Sequence, residues 1–237
     1  MGKRGGDTRV KRQMAPTFWN IKRKESQFVL KVKPGPHPKD RAYPLGMVLR
    51  DVINVASTMH EAQRILTAGK VKVEGIVRRD PNLAVGLMDV IELASGQAYR
   101  LVPKGSVLLT AISIEDAEKN LKLVKITSKT TIKSNRSQYG FHDGKSLVSD
   151  QNLKVGDSCI IEIPEVKIKT HIPFEKDAAA LIISGENAGN MGKIEDIKDG
   201  IFSLPKRALV SFGDRSVEIP VEKVIVVGTD KPIIKVS

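Results

Sequence analysis

Residues Tyr43 to Leu93 read YPLGMVLRDVINVASTMHEAQRILTAGKVKVEGIVRRDPNLAVGLMDVIEL, and the rest of the chain is organised around them. Leu45, Val48, Leu49, Val52 and Ile53 recur at the spacing of one apolar helical face. Pro44 suits the first turn, where a missing N–H goes unnoticed. Ser57 and Thr58 interrupt the pattern, and Thr58 with Glu61 has the form of a capping box, which predicts a second helix. Met59, Ala62, Ile65 and Leu66 give that helix its buried stripe, and Gly69 sits where a left-handed C-terminal cap is wanted. Val71 and Val73 then alternate with Lys70 and Lys72, as along a strand. Glu74-Gly75 fits a two-residue hairpin turn into Ile76-Val77 and Arg78-Arg79.

Off the apolar stripe, His60, Gln63, Arg64 and Thr67 share the outer side of the second helix and lead into Lys70 and Lys72. A helix edge and an adjoining strand that carry Arg and Lys can track a phosphate backbone. The same spacing also describes a solvated helix face with ordinary surface charge. Arg50, Arg78 and Arg79 extend the candidate RNA-binding set on the flanks. Arg50 to Asn54, Ala62 to Leu66, Gly69 to Gly75, Asp80 and Gly86 to Ile91 resemble the RNA-binding module named after small-subunit ribosomal protein four. That resemblance implies a unit of two helices and few strands that binds RNA.

The chain has 237 residues, enough for two or three small domains. Its net charge of +12 is unevenly placed, with +9 in residues 1–41 and +2, +1 and 0 in residues 42–105, 106–175 and 176–237. The excess therefore belongs to an arm. In it Lys3, Arg4, Arg9, Lys11, Arg12, Lys22, Arg23 and Lys24 are interleaved with glycines and with Phe18-Trp19. Basic residues neutralise phosphates, and exposed aromatics stack on bases or anchor in a partner, so Phe18 and Trp19 are expected to become partly buried against RNA or protein. A disordered solubilising tail or a patch for an anionic membrane has the same composition. The arm has too few apolar residues to fold alone, and we expect it to be mobile until it meets RNA. Pro34-Gly35-Pro36-His37-Pro38 reads as a stiff connector at its end. No apolar run reaches membrane-spanning length, and the lone Cys159, in a strand-like run without basic neighbours, reads as a core residue.

Beyond Tyr99 to Gly105, a strand into a turn, a short helix capped by Ser113 is expected over residues 114–119. Strands follow at Leu121–Ile126, Cys159–Ile163 and Val166–Ile172, for which a small β-barrel or sandwich is the economical reading. The last region begins with Ala180–Ile183, turns through Gly185, Gly189 and Gly192, and continues in strands at 209–212, 216–219 and 224–227. With no G-x-x-x-x-G-K-[ST] pattern, the glycines read as a tight barrel loop and not as a nucleotide cradle. They resemble the KOW motif, which implies an SH3-like barrel.

The order of parts, with Gln138 to Lys145 and Lys169 to Glu175, resembles the archaeal/eukaryotic-type small-subunit ribosomal protein four family over nearly the whole chain. The expected fold is α+β and multidomain: a basic arm and linker (1–41), a two-helix plus β-hairpin RNA-binding module (42–105), a central β-barrel-like domain (106–175) and a KOW/SH3-like barrel (176–237). The resemblance implies a structural constituent of the small subunit in the cytoplasmic ribosome, with 16S-type rRNA and neighbouring ribosomal proteins as partners. Neither a membrane nor a small-molecule substrate is expected. His37, His60, His142 and His171 are far apart in sequence and show no metal-ligand spacing. No nucleophile elbow occurs, and Asp143 beside His142 reads as a turn. No catalytic residue, metal or cofactor is therefore expected. Two other classes compete: an RNA-modifying enzyme, which needs a catalytic domain not found here, and a KOW-type transcription elongation factor, which needs an α/β domain beside its barrel.

Overall fold

The computed structural model describes residues 9–19, 21, 24, 26–105, 107–132, 136–213, 215–229 and 231–236. Within them the chain is mostly β, with two helical stretches and several antiparallel sheets.

The chain from Arg9 onward is not a free arm. β1 (Arg9–Lys11) pairs with β2 (Phe28–Leu30), Val10 opposite Val29. Trp19 is buried, its indole N–H donating to the Ala42 carbonyl at 2.9 Å and its ring stacking 6.4 Å from Tyr43. Phe18 meets Tyr43 edge-on at 5.3 Å, and the Tyr43 hydroxyl donates to the Phe18 carbonyl at 2.8 Å. Burial, aided by Asp51, pushes the Tyr43 pKa up to about 12. Trp19 is thus buried within the chain itself and not, as expected, against RNA or a partner protein, because the module supplies the other half of the core that the arm lacks. Lys3, Arg4, Lys22 and Arg23 lie outside the described residues.

In the module, β3 (Tyr43–Pro44) leads into α1 (Leu45–Met47), which widens into a π-helical stretch over Val48–Val52. There the Ile53 N–H reaches back five residues to Val48 at 2.9 Å, and Asn54, at φ +61°, ends the stretch. α2 (Met59–Thr67) is capped as expected: Thr58 Oγ1 accepts from the Glu61 N–H at 3.2 Å, and the Glu61 carboxylate accepts from the Ser57 N–H at 2.8 Å. Gly69 takes φ +70°. β4 (Val71–Val73) and β5 (Ile76–Val77) form the hairpin, with Glu74 and Gly75 both at positive φ as the tight turn requires. β6 (Ala84–Val85) pairs with β3, and β7 (Val90–Leu93), β8 (Ala98–Lys104) and β9 (Val107–Ile114) extend the hairpin into a sheet ordered β5-β4-β7-β8-β9. β9 and the turn at 116–120 replace the expected helix at 114–119. Branched residues such as Ile112 and Ile114 fit a strand beside the open edge of β8 better than a helix.

The central strands are β10 (Leu121–Thr131), β11 (Ser137–Phe141), β12 (Ser146–Ser149), β13 (Ser158–Glu162) and β14 (Lys167–Ile172), ordered β12-β11-β10-β13-β14. β10 pairs with β13 along its first half and with β11 along its second, with a register shift between Ile126 and Ser128. Such a shift bends a strand, so the sheet curls without closing. Cys159 lies in its core, and burial, then Asp157, pushes its thiol up to about 12. The last sheet holds β15 (Ala179–Ile182), β16 (Met191–Lys198), β17 (Arg207–Phe212), β18 (Arg215–Pro220) and β19 (Val224–Gly228) in the order β18-β17-β16-β15-β19.

Buried cations and one glycine loop join these sheets. Arg100 of β8, fully buried, donates to the Glu118 carboxylate at 2.7 Å and to the carbonyls of Leu121 and Lys235 at 3.1 and 2.8 Å. Lys125 of β10 donates to the Val221 and Val224 carbonyls at 2.5 and 2.7 Å. Gly189, at φ +86°, lies so close to the β8–β9 turn that a Cβ would come 2.6 Å from the Pro103 carbonyl. Beside it the Gly105 N–H donates to Ala188 at 2.8 Å.

Leu66 is fully buried, so Leu66→Ala should lower stability by roughly 2–5 kcal/mol in a urea titration. Gly189→Ala, with its positive φ and no room for a Cβ, should lower it by about 1–3 kcal/mol or more. A Gly189→Ala variant as stable as the parent would mean that the loop does not bear on Pro103.

Candidate nucleic-acid interface

α2 carries His60, Gln63 and Arg64 at solvent, while Ala62 and Leu66 face the core. The helix ends at Gly69, against which Arg79 lies: a Cβ there would be 3.9 Å from the Arg79 Nε and Nη2. Lys70 and Lys72, both exposed, follow at once, with Lys72 opposite Val77 in the hairpin. The structure thus gathers Arg64, Lys70, Lys72 and Arg79 where the helix end meets the hairpin. Among the described residues none of these four side chains has an ion-pair or hydrogen-bond partner. Arg78 is half-buried, with its Nε enclosed and unpartnered. Arg50 stands apart, its guanidinium held by Asp51 at 2.5 and 2.8 Å.

In the docked arm, Lys11, Arg12 and Lys24 line a cleft of about 400 Å³ with Gln13, Ser26 and Gln27. Arg12 donates to the Ile21 carbonyl at 3.1 Å, and its Nε is buried without a partner. Arg9 lies exposed on β1. The last sheet behaves differently. Lys176, Lys198, Lys206 and Arg207 each pair with a carboxylate there.

A buried network that the sequence did not reveal positions both basic surfaces. Lys122 of β10 is fully buried, and its ammonium contacts Asp89 at 2.7 Å, Asp143 at 2.8 Å and the carboxylate of Glu74. Glu74 is the first turn residue of the β4–β5 hairpin and also binds Lys145. Asp89 accepts from the Gly86 N–H at 2.8 Å and holds His37 Nε2 at 2.9 Å. The Pro-Gly-Pro-His segment is therefore a docking element: a Cβ on Gly86 would meet the His37 ring at 2.5 Å. The network fixes the direction of the hairpin that bears Lys72 and the seat of the arm that bears Lys11 and Arg12.

The charge states follow from these contacts. Burial alone would raise Asp89, but the charges and hydrogen bonds of Lys122 and His37 hold it far below the usual carboxylate range. Burial likewise opposes the charge on Lys122, yet Asp89, Glu74 and Asp143 keep its pKa above the ordinary lysine value. His142 adjoins the cluster, 6.3 Å from His37 between ring centres. Its Nδ1 accepts from the Lys125 N–H at 3.1 Å, and its Nε2 sits 3.3 Å from the Leu87 carbonyl, the pattern of a neutral ring. Burial, reinforced by the Lys122 charge, pushes it down to about 4.

The matches to known families fall on these same elements. A family model described as RS4NT (NUC023) domain covers residues 4–40, the S4 domain covers 48–91, and Ribosomal family S4e covers 95–168. The small ribosomal subunit protein eS4 of Aeropyrum pernix is 36% identical over 99% of this chain and 97% of its own. The chain belongs to the eS4 family. The eS4 protein of Methanothermobacter thermautotrophicus is 37% identical over 95% of this chain and 94% of its own. The crystal structure of the 30S ribosomal protein S4e from Thermoplasma acidophilum superposes with a TM-score of 0.69 at 32% identity, over 81% of this chain and 97% of that one. An eS4 chain is a ribosomal protein, and the enzyme and elongation-factor alternatives lose their support.

The half-buried His142, held neutral by its surroundings, predicts a pH response. In the unfolded chain His142 takes its ordinary value near 6.5, against about 4 when folded. Between these values the unfolded chain binds a proton that the folded chain does not, so stability falls as pH drops from about 6.5 towards 4. Asp89 and Asp143, both depressed, add a further loss below the ordinary carboxylate value. Melting curves at a series of pH values should show this decline. His142→Gln, which keeps one acceptor and one donor, should flatten it above pH ~4.5. An unchanged slope in that variant would assign the titration to another group.

Proposed function

We propose that this eS4-family chain holds 16S-type rRNA on a composite surface, with Arg64, Lys70, Lys72 and Arg79 of the module at its centre. Arg9, Lys11, Arg12 and Lys24 of the docked arm extend it. The observation that carries this reading is the set of four cations left without protein partners where α2 meets the hairpin, inside the stretch matched by the S4 domain. Unpaired surface cations neutralise phosphates at no cost in broken ion pairs, and they release counterions on binding. His60 and Gln63 supply hydrogen bonds to sugar or phosphate alongside. Arg78, half-buried, flanks this surface, and Arg50 is a peripheral contact because Asp51 already holds it. Lys3, Arg4, Lys22 and Arg23 complete the basic arm in the same reading.

The chain is a structural constituent of the small ribosomal subunit, in the cytoplasm, with neighbouring ribosomal proteins beside it. Its division into an arm (1–41), a module (42–105), a central β domain (106–175) and a C-terminal barrel (176–237) is part of the proposal. For the last, the order β18-β17-β16-β15-β19, in which β15 and β19, the first and last strands in sequence, pair, supports an SH3-like barrel of the KOW kind. Its glycine loop is occupied against Pro103, which favours a structural role for it over phosphate contact.

The triple variant Arg64→Ala, Lys70→Ala, Lys72→Ala should separate folding from binding. Each site is exposed, so each change should alter stability by no more than about 0.5 kcal/mol. The salt dependence of rRNA filter binding should fall by roughly 0.9 in logarithmic slope for each phosphate contact removed. The paired measurement is a thermal melt and a filter-binding series on the same protein. Normal melting with full-strength binding would leave this face as solvated surface. Sedimentation of cell lysate in high salt tests the placement itself: the chain should travel with the small subunit.

A further inference from the structure

The connection between β16 and β17 carries a knob of apolar side chains at solvent. Ile201 is 72% exposed, Leu204 45%, and Phe202 completely so. The knob is built to hold its shape. The Ile201 N–H donates to the Leu204 carbonyl at 3.0 Å, and the Leu204 N–H returns the bond at 2.8 Å. These bonds close a two-residue turn with Phe202 and Ser203 at its tip. Gly200 lets the strands pass closely, since a Cβ there would lie 3.0 Å from the Lys206 nitrogen and 3.1 Å from the Leu204 carbonyl. Scattered apolar side chains are ordinary on a surface, but an adjacent group on a closed turn marks an interaction site. A turn already closed also loses little freedom on binding.

Charge decides which class of partner the knob suits. The cations at its base are already paired: Lys206 with Asp199 at 2.9 Å, Arg207 with Glu218 at 2.9 Å, and Lys198 with Glu218. The Asp199 side chain, at the foot of the turn, is 89% exposed. A phosphate-binding surface leaves its cations free, as the α2 edge does, and does not set a solvent-exposed carboxylate beside the approaching backbone. The two branched aliphatics beside the Phe202 ring crowd it with bulk that a closed apolar pocket accommodates and an open stack of bases does not use.

We propose that Ile201–Leu204 anchors this chain to a protein neighbour, with Phe202 inserted in an apolar pocket whose rim is polar. The proposal rests on the chain's place in the small subunit. The test puts a benzophenone-bearing phenylalanine at position 202 of the full chain, expressed in cells, followed by sedimentation and irradiation of the small subunits. Co-sedimentation reports on the placement independently of the loop. The expected result is a cross-link to another ribosomal protein, attached among apolar residues. A nuclease-sensitive link to rRNA, a link to a second copy of this chain, or no link overturns the anchor while leaving the placement intact. A chain absent from the subunit overturns both. As a second measurement, Ile201→Ser, Phe202→Ser, Leu204→Ser together should leave the melting temperature unchanged. The triple change should also weaken affinity for the cross-linked protein roughly tenfold or more, as loss of a hot spot does. Equal affinity would overturn the proposal.

Discussion

One ammonium group, that of Lys122, meets three carboxylates that arrive from different parts of the chain. Glu74 comes from a hairpin turn, Asp89 from the approach to a strand, and Asp143 from a turn in the next sheet. A buried ion cluster of this kind contributes little net stability, because desolvating each charge offsets much of the attraction. Removing one member is another matter, since it strands the remaining charges away from water. The cluster therefore acts as a geometric constraint. The module and the central sheet fit together in the one arrangement that brings these four groups within contact, and His37 ties the incoming arm to it through Asp89.

The surface charge follows from that constraint. With the hairpin and the arm fixed, Arg64, Lys70, Lys72 and Arg79 gather at the end of α2, whereas Lys176, Lys198, Lys206 and Arg207 of the last region are each paired with a carboxylate. A net charge concentrated early in the chain also concentrates the positive field there. The last sheet, neutral overall, is left to contact the rest of the chain through the Gly189 loop and Lys125.

The parts legible in the sequence were those governed by local rules. The α2 stripe, its Thr58 cap, the Gly69 end and the Glu74-Gly75 turn depend on spacing within a few residues, and each stands in the structure. Lys122 and Lys125 were not legible. Residues 122–126 are buried on both faces because β10 lies between the module and the last sheet, and strand alternation cannot report a second covering layer. His37 and Asp143 were hidden for the same reason, each reading as a turn or connector until its distant partner is known. Trp19 was misread because composition cannot show that the arm borrows its core from Tyr43. At the candidate site the exposed cations were readable, while the groups that aim them were not.

Arg100 has a consequence in time. Its guanidinium depends on the carbonyl of Lys235, and Val236 and Ile234 bury their side chains nearby in sequence. During synthesis the early sheet emerges long before these residues do, so the cation waits in a half-made cage. Distant pairings of this sort close late, after the intervening chain has been ordered. The hairpin that bears Lys70 and Lys72 is therefore complete in the emerging chain well before Arg100 gains its last partner.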